Sequence, residues 1–178
     1  NTLVANHGVQ QGGALYIQNL GGTPYVRNNI FQNNVSDSGS AIYAAVGTLA
    51  YNDYWPEPGA DQVAGGVGLG EGNMNADPTY VKPPNLQALD ALDIVDFHLA
   101  SYSPLIDMGI DVGIDHDMDN HPRPVNEAPD IGADEYPECL ARLNSTGVIY
   151  GEIQTAIDNA LEEGDIVDVA EGVCYETL

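Results

Sequence analysis

Carboxylates are densest near position 115, where Asp115, Asp117 and Asp119 alternate with other residues. Alternating acids in a loop can direct several oxygens at one hard cation, so this spacing predicts a Ca²⁺ site. It is not an EF-hand loop, because the glycine at the sixth position and the glutamate at the twelfth are both missing. The alternative is structural: the aspartates cap turns, and Asp117 or Asp119 pairs with Arg123.

The whole chain has only 4 Lys and Arg residues, and many acidic residues lie near Arg123 in the sequence. A guanidinium can hold a carboxylate through two parallel hydrogen bonds. We therefore also expect a pair between Arg123 and either Asp130 or Glu135. Such a pair would be structural rather than catalytic.

Three histidines lie near these acids or on a predicted strand. His116 and His121 flank the aspartates and could bind a transition metal, with a solvated or hydrogen-bonded imidazole as the alternative. His98 lies between Phe97 and Leu99, and we place it on the outer face of a strand.

The net charge limits the possible partners. The chain has 27 acidic residues and a net charge of −23. This excludes a general nucleic-acid binder and argues against adsorption to an anionic membrane, because both need a basic face. No apolar run is long enough to insert into a membrane. A hydrophobic content of 43% argues against disorder, and Asp37 is the one acid among the first 52 residues.

The first third of the chain contains an internal repeat. Residues 2–6 align with residues 29–33, which lie 27 positions later, and residues 52–55 begin a third copy. Residues 13–17 and 40–44 also match at an offset of 27. Each unit combines short β-rich runs with an asparagine and a turn of glycine and serine.

Strands this short cannot bury a face alone, but stacked units bury a continuous core. A unit of 23–27 residues with three short strands predicts an all-β chain that forms a parallel β-helix, or β-solenoid. Asparagines at matching positions would stack into a ladder of side-chain amides. The alternative is a β-sandwich, which gives no reason for the 27-residue offset.

Residues 56–72 shift in composition to Gly, Ala, Glu and Asp. The glycine-rich run at 65–70 lacks the Lys-Ser/Thr that a phosphate loop needs, and no dinucleotide-binding spacing fits. We interpret residues 56–72 as a flexible crossover that leaves the stack.

The last forty residues have a different pattern. Apolar residues at helical spacing predict a helix over 152–163, and Gly164 would end it. The alternating pattern over 165–170 then predicts a strand.

Several stretches together resemble secreted bacterial right-handed parallel β-helix proteins. The motifs that carry the resemblance lie at 77–81, 96–99, 103–109, 117–124 and 130–136. The last two are similar to the concluding signature of the choice-of-anchor domain, which precedes surface-attachment signals. Asn120 stands where that signature usually has glycine, and asparagine tolerates the left-handed backbone that such a turn needs.

The resemblance implies two units and a location. Residues 1–138 would be the final coils and closing segment of one right-handed β-helix. Residues 139–178 would be the start of a second, truncated β-helix with one short capping α-helix. The family implies an extracellular or cell-surface location and further coils of the same chain as partners.

The function that follows is a non-catalytic structural or adhesive module of a cell-surface protein. Outward tyrosines in the coils could bind a polysaccharide or cell-surface glycan by stacking, although inward packing is the alternative. The competing function is the C-terminal part of a carbohydrate-active β-helix enzyme, a lyase or hydrolase whose active site lies on other coils. Asp37 and Asp53 are the available carboxylate pair, and we do not expect them to face each other.

The chain has two cysteines, Cys139 and Cys174. A disulfide between them would imply an oxidising, extracellular compartment, and two free thiols are the alternative.

Overall fold

The strands and the helix are short. The computed structural model describes residues 1–18, 21–56, 62–84, 96–100, 102–125, 127–136, 141–150, 153–160 and 164–169. In these ranges the strands are β1 (Thr2–Val4), β2 (Leu15–Ile17), β3 (Tyr25–Arg27), β4 (Ile30–Gln32), β5 (Ile42–Ala44), β6 (Thr48–Ala50), β7 (Asp53–Trp55), β8 (Val63–Ala64), β9 (Tyr80–Lys82), β10 (Asp96–Leu99), β11 (Ala141–Leu143), β12 (Ile149–Tyr150) and β13 (Val167–Val169). The helix α1 spans Ile153–Asp158. It is not long and apolar enough to cross a membrane, and the described residues contain no helix that is.

The first eight strands form three parallel sheets. Their orders are β1-β4-β7, β2-β5-β8 and β3-β6. The chain visits the sheets in turn, so that each strand pairs with its counterpart from the neighbouring unit. The predictions of an all-β fold and of parallel pairing between repeated units are confirmed.

The register of the first sheet differs from the prediction by one residue. The sequence alignment matched Thr2 with Asn29, whereas the structure places Thr2 opposite Ile30. The offset of 27 is correct for β2 and β5, where Leu15 lies opposite Ile42. The bridges His7–Val35 and Gln11–Ser38 locate the extra residue of the first unit between positions 7 and 11. Because side chains alternate along a strand, the predicted register would have turned the core residues of β1 outward.

The interpretation of residues 56–72 as a crossover leaving the stack is wrong for residues 62–72, whereas residues 57–61 lie outside the described ranges. Val63 and Ala64 pair in parallel with β5, and Leu69 forms a further parallel bridge to Leu49. Gly65 shows why glycine is needed there: its φ is +98°, and a Cβ would lie 2.5 Å from the carbonyl oxygen of Ala44. Here glycine allows close stacking rather than flexibility.

Two rows of asparagines connect the units, as predicted. The longer row consists of Asn1, Asn29, Asn52 and Asn73, and each side-chain amide donates to the Oδ1 of the next at 3.1, 2.9 and 3.2 Å. The shorter row joins Asn6 to Asn34 at 3.0 Å. These bonds keep successive units in register because they repeat at each level of the stack.

The apolar core inside the stack comes from side chains that alternate inward along the strands. Its buried members are Val26, Phe31, Ala41, Ile42, Ala44, Leu49 and Tyr54. The rings of Phe31 and Tyr54 stack with their centroids 5.3 Å apart, one above the other on adjacent strands. This core accounts for the alternating pattern that the sequence shows.

A second core lies on the outer face of the β1-β4-β7 sheet. Ile30 is fully buried there against side chains from residues 74–136, which we call the covering segment: Tyr80, Leu99, Leu105 and Ile131. Gly132 lies directly over this face, since a Cβ would be 2.8 Å from Cδ1 of Ile30. The resemblance implies that this region closes the stack, and the structure shows it packed along the flank of one sheet.

The C-terminal residues form a separate antiparallel sheet of order β12-β11-β13. The predicted helix is present in part as α1, which contacts all three strands and buries Ala156. The predicted strand is present as β13, whereas β11 and β12 were not predicted. The pairing of β13 with β11 is antiparallel, unlike that of the strand stack.

Candidate functional site

The aspartates predicted to bind Ca²⁺ have different partners. The buried Asp117 side chain accepts hydrogen bonds at Oδ1 from the backbone N–H groups of Asp119 (2.9 Å) and His121 (2.8 Å). Asn120, between them, has a φ of +67°, as its residue type allows. Asp117 thus acts as a turn cap, as the structural alternative predicted, whereas Arg123 pairs with Glu135 rather than with Asp117 or Asp119 among the described residues.

Asp115 and Asp119 point to separate groups. Asp115 is exposed and lies 2.6 Å from Nδ1 of His116, whose hydrogen bond lowers the pKa of that carboxyl group. Asp119 contacts His98 instead, with its Oδ2 2.7 Å from Nε2. The Ca²⁺ site at Asp115, Asp117 and Asp119 remains a prediction, and Asp119 also belongs to the cluster described next.

His98 is the centre of a mixed cluster of metal-ligand side chains. One donor atom each from His98, Asp119 and Asp134 lie within 4.8 Å of one another. The other ring nitrogen of His98, Nδ1, is hydrogen-bonded to Asp96 Oδ1. We call these four residues the His98 cluster.

Three parts of the covering segment position the His98 cluster. Asp96 and His98 are two positions apart on β10, so their side chains project from the same face. The N–H of Met118 donates to the carbonyl of Ala133 at 3.1 Å, which brings the Asp119 turn beside Asp134.

Asp134 is anchored from β10. Its Oδ2 accepts the N–H of Leu99 at 2.8 Å, and the residue is 1% exposed. The buried carboxylate thus lies directly beside His98.

Two opposing effects act on the pKa of the Asp96 carboxyl group. Partial burial raises the pKa of its carboxyl group, but hydrogen bonds from the ring and the N–H of His98 more than offset this, and the pKa lies below the usual value. Lys82 lies opposite Asp96 in the β9–β10 pair and contributes in the same direction. The Asp96 carboxylate is therefore charged, and it holds the ring of His98 by accepting a hydrogen bond from Nδ1.

Arg123 forms the predicted ion pair with Glu135. Its Nε lies 3.1 Å from Glu135 Oε2, and the remaining guanidinium nitrogens donate to the carbonyls of Gly132 and Asp130. Both side chains are almost entirely buried. Glu135 also accepts backbone hydrogen bonds from Val125 and Asp130, so the pair joins separate loops of the covering segment.

Asp130 is a second buried carboxylate of this region. Its two oxygens accept the N–H groups of Asp107 and Tyr136, both at 2.7 Å. Burial raises the pKa of Asp130 to about 7 despite these bonds, and the nearby charges of Glu135 and Asp107 act in the same direction. Residues 130–136 thus contribute structural carboxylates.

Asp53 and Asp37 lie in different environments. Asp37 is exposed in a turn, whereas Asp53 is fully buried between the β1-β4-β7 sheet and the covering segment. Asp53 Oδ1 accepts the N–H of Ala76 at 2.9 Å, and Oδ2 has no hydrogen-bond partner in the described residues. Burial raises the pKa of Asp53 to about 7, and the nearby charge of Asp77 acts in the same direction. The backbone hydrogen bonds from Ala76 and Tyr54 lower the pKa but do not offset the effect of burial.

This shift predicts a pH-dependent stability. The unfolded chain releases the Asp53 proton near pH 4, whereas the folded protein keeps it up to about pH 7, so the free energy of unfolding should fall as the pH rises between these values. Asp53→Asn retains an oxygen for the Ala76 N–H and should remove roughly 2–4 kcal/mol of that fall. In both the wild type and Asp53→Asn, Asp130 should still cause part of the fall in the free energy of unfolding, because its pKa is also raised to about 7.

Urea unfolding at several pH values measures this effect. Asp37→Asn is the matched control, since that carboxylate is exposed, and its slope should equal that of the wild type. Parallel pH profiles for Asp53→Asn and the wild type would contradict the prediction.

The tyrosines of the stack divide into inward and outward rings. Tyr54 is 1% exposed, whereas Tyr16 and Tyr25 are 49% and 65% exposed. Tyr16 stacks on Tyr43 with centroids 5.4 Å apart, and the guanidinium of Arg27 lies 4.4 Å from the centre of the Tyr25 ring. The outer surface of the stack therefore presents supported aromatic rings.

Comparison of the chain with protein-family models, with curated proteins and with solved structures gives no match. The functional interpretation therefore depends on the geometry of the chain itself. Cys139 and Cys174, for which a disulfide was considered, lie outside the described residues.

The sequence interpretation missed the His98 cluster. It placed His98 on the outer face of a strand and gave Asp134 no role. The spacing of Asp96 and His98 on one strand was a usable local signal, because alternate residues share a face. The approach of Asp119 and Asp134 had no such signal, because they lie 21 and 36 positions from His98.

Proposed function

We propose that this chain is part of a right-handed parallel β-helix protein of the secreted bacterial type and acts as a structural and adhesive module at the cell surface. The repeated pairing of three parallel sheets supports this fold. The similarity of the covering segment to the choice-of-anchor signature supports the surface location. The adhesive part depends on one observation, the exposed tyrosines on the outside of the stack.

Tyr16 and Tyr25 are suited to bind neutral sugars. Pyranose rings stack on aromatic rings, and both tyrosines are held by a neighbour on one side while much of each ring remains exposed. A net charge of −23 repels polyanionic glycans, so neutral polysaccharides are the favoured ligands.

The carboxylates of the stack support a non-catalytic role. Hydrolases of sugars need two carboxyl groups on either side of the scissile bond. Asp53 is enclosed under the covering segment, and Asp37 lies exposed in a turn. This placement gives the enzyme alternative no specific support among the described residues.

Further coils of the same protein are the proposed structural partners. Among the described strands, β1, β2 and β3 each pair on one side only, and these three edges belong to the same unit. Such edges form hydrogen bonds with an added strand of matching register. The asparagine row would continue across this junction from Asn1.

A glycan array with neutral polysaccharides tests the adhesive function. Tyr16→Ala and Tyr25→Ala should each weaken retention about tenfold, which corresponds to about 1.4 kcal/mol. Tyr102→Ala is the matched control, because this tyrosine is 76% exposed but lies in the covering segment. An equal loss in all three variants, or no retention of the wild type, would contradict the proposal. Release of reducing ends from the bound polysaccharide would favour the enzyme alternative.

A further inference from the structure

We propose that His98, Asp119 and Asp134 form a binding site for a divalent transition-metal ion, with Zn²⁺ as the best fit, and that Asp96 orients the histidine. The site differs from the aspartate triplet predicted at 115, 117 and 119. It shares only Asp119 with that triplet.

The donor geometry carries the proposal. Ligand atoms on a tetrahedral Zn²⁺ are about 3.4 Å apart when each metal–ligand distance is about 2.1 Å. The three donor atoms already lie within 4.8 Å of one another, and His98 Nε2 is 2.7 Å from Asp119 Oδ2. Small rotations of the Asp119 side chain, the most exposed of the three, would place all donors around one ion.

The second nitrogen of His98 is held as in known metal sites. A metal-binding histidine generally donates its other N–H to a carboxylate, which fixes the tautomer and the ring plane. Asp96 accepts from Nδ1, so Nε2 is the ring atom that faces Asp119, and a bound Zn²⁺ would replace the proton of the hydrogen bond between Nε2 and Asp119. The strand spacing of Asp96 and His98 builds this arrangement into β10.

The local charge favours a cation. Asp96, Asp119 and Asp134 surround a single imidazole, and Lys82 is the nearby basic side chain opposite Asp96. Asp134 is 1% exposed, so water screens its charge poorly. A divalent ion would neutralise two of these charges where they are least hydrated.

The chemistry of the donors selects the metal. Ca²⁺ prefers six to eight oxygen ligands, whereas one imidazole nitrogen and two carboxylate oxygens suit Zn²⁺, with water in the fourth position. The bound ion would join β10, the turn at 117–121 and the concluding signature. The ion would stabilise the packing of these three parts of the covering segment against one another.

Calorimetric titration of the 178-residue chain with ZnCl₂ tests the site. We expect one ion per chain and at least about tenfold weaker binding of CaCl₂. His98→Ala should abolish Zn²⁺ binding, and Asp119→Asn, at the exposed ligand, should weaken it strongly without disturbing the fold. Asp96→Asn should weaken it by about 10- to 100-fold, as expected of a positioning residue.

Two controls separate this site from the aspartate triplet. His116→Ala and Asp115→Asn change an exposed histidine–aspartate pair outside the His98 cluster and should leave the affinity unchanged. Imidazole ¹⁵N shifts of His98 on Zn²⁺ addition provide a readout that does not depend on affinity. No heat with ZnCl₂ would overturn the proposal, as would Zn²⁺ binding that survives His98→Ala or is lost in Asp115→Asn.

Discussion

Replacement of Asn52 by alanine should lower the free energy of unfolding by about 3–5 kcal/mol. The fully buried Asn52 side chain accepts two hydrogen bonds from Asn29, at 3.1 and 2.9 Å, and donates to the carbonyls of Val26 and Ala50. Removal of the amide leaves buried donors and acceptors without partners, and each such group costs about 1–3 kcal/mol. Urea denaturation followed by circular dichroism measures the loss.

Asn6→Ala provides the matched control for Asn52. Asn6 is exposed, and its side chain donates a single described hydrogen bond, to Asn34. We expect this variant to lose only about 0.5–1.5 kcal/mol. If the two variants lost the same amount, the asparagine row would not stabilise the stack as the geometry indicates.

Arg123→Ala should destabilise the protein by about 3–5 kcal/mol, because it leaves the carboxylate of Glu135 buried without its cation. The guanidinium also donates to the carbonyls of Asp130 and Gly132, and these bonds are lost as well, although the Gly132 carbonyl still accepts from the N-terminal amine of Asn1. Arg142→Ala is the matched control, since Arg142 is exposed on β11 and should change the stability by less than about 0.5 kcal/mol.

The Arg123 variant should also change the pH dependence of stability. Burial already raises the pKa of Glu135, while the backbone bonds and Arg123 oppose the rise. Without the cation the pKa rises further, so the folded state binds a proton that the unfolded state has released, and the loss of stability grows as the pH rises above the ordinary pKa of a glutamate carboxyl group. Adding Glu135→Gln to Arg123→Ala should recover part of the stability at pH 8. A loss that is independent of pH, with no recovery in the double variant, would contradict this account.

The fold was predictable where the signal is local or repeated. The alternation of apolar residues and the matching runs at Leu15 and Ile42 indicated parallel stacked strands, and the asparagine row followed from the same repeat. The register at Thr2 was not predictable from one fixed offset, because an extra residue between positions 7 and 11 moves it by one. The glycines at 65–70 were misinterpreted because a glycine-rich segment can form either a flexible crossover or closely stacked strands, and its composition does not distinguish the two.

The candidate site was predictable only in part. The scarcity of cations predicted that Arg123 pairs with a carboxylate, but it left Asp117, Asp119, Asp130 and Glu135 open as the partner. The cap formed by Asp117 was one of two open interpretations, because a carboxylate can hold either a backbone N–H or a cation. The sequence pointed to acids around position 117 but did not show that His98 and Asp134 lie beside them.

The sequence by itself determined the local chemistry of this protein: short β-rich runs, asparagines at repeating positions, and an acidic stretch over residues 74–136 with one arginine. Only the tertiary structure decided which side chains meet. The covering segment packs against the outer face of one sheet because Ile30 and its neighbours there are apolar and must be buried. That packing brings His98, Asp119 and Asp134 within 4.8 Å of one another and encloses Asp53 away from water. Contacts between residues so far apart in the chain depend on how whole surfaces fit, and no short sequence pattern encodes that fit.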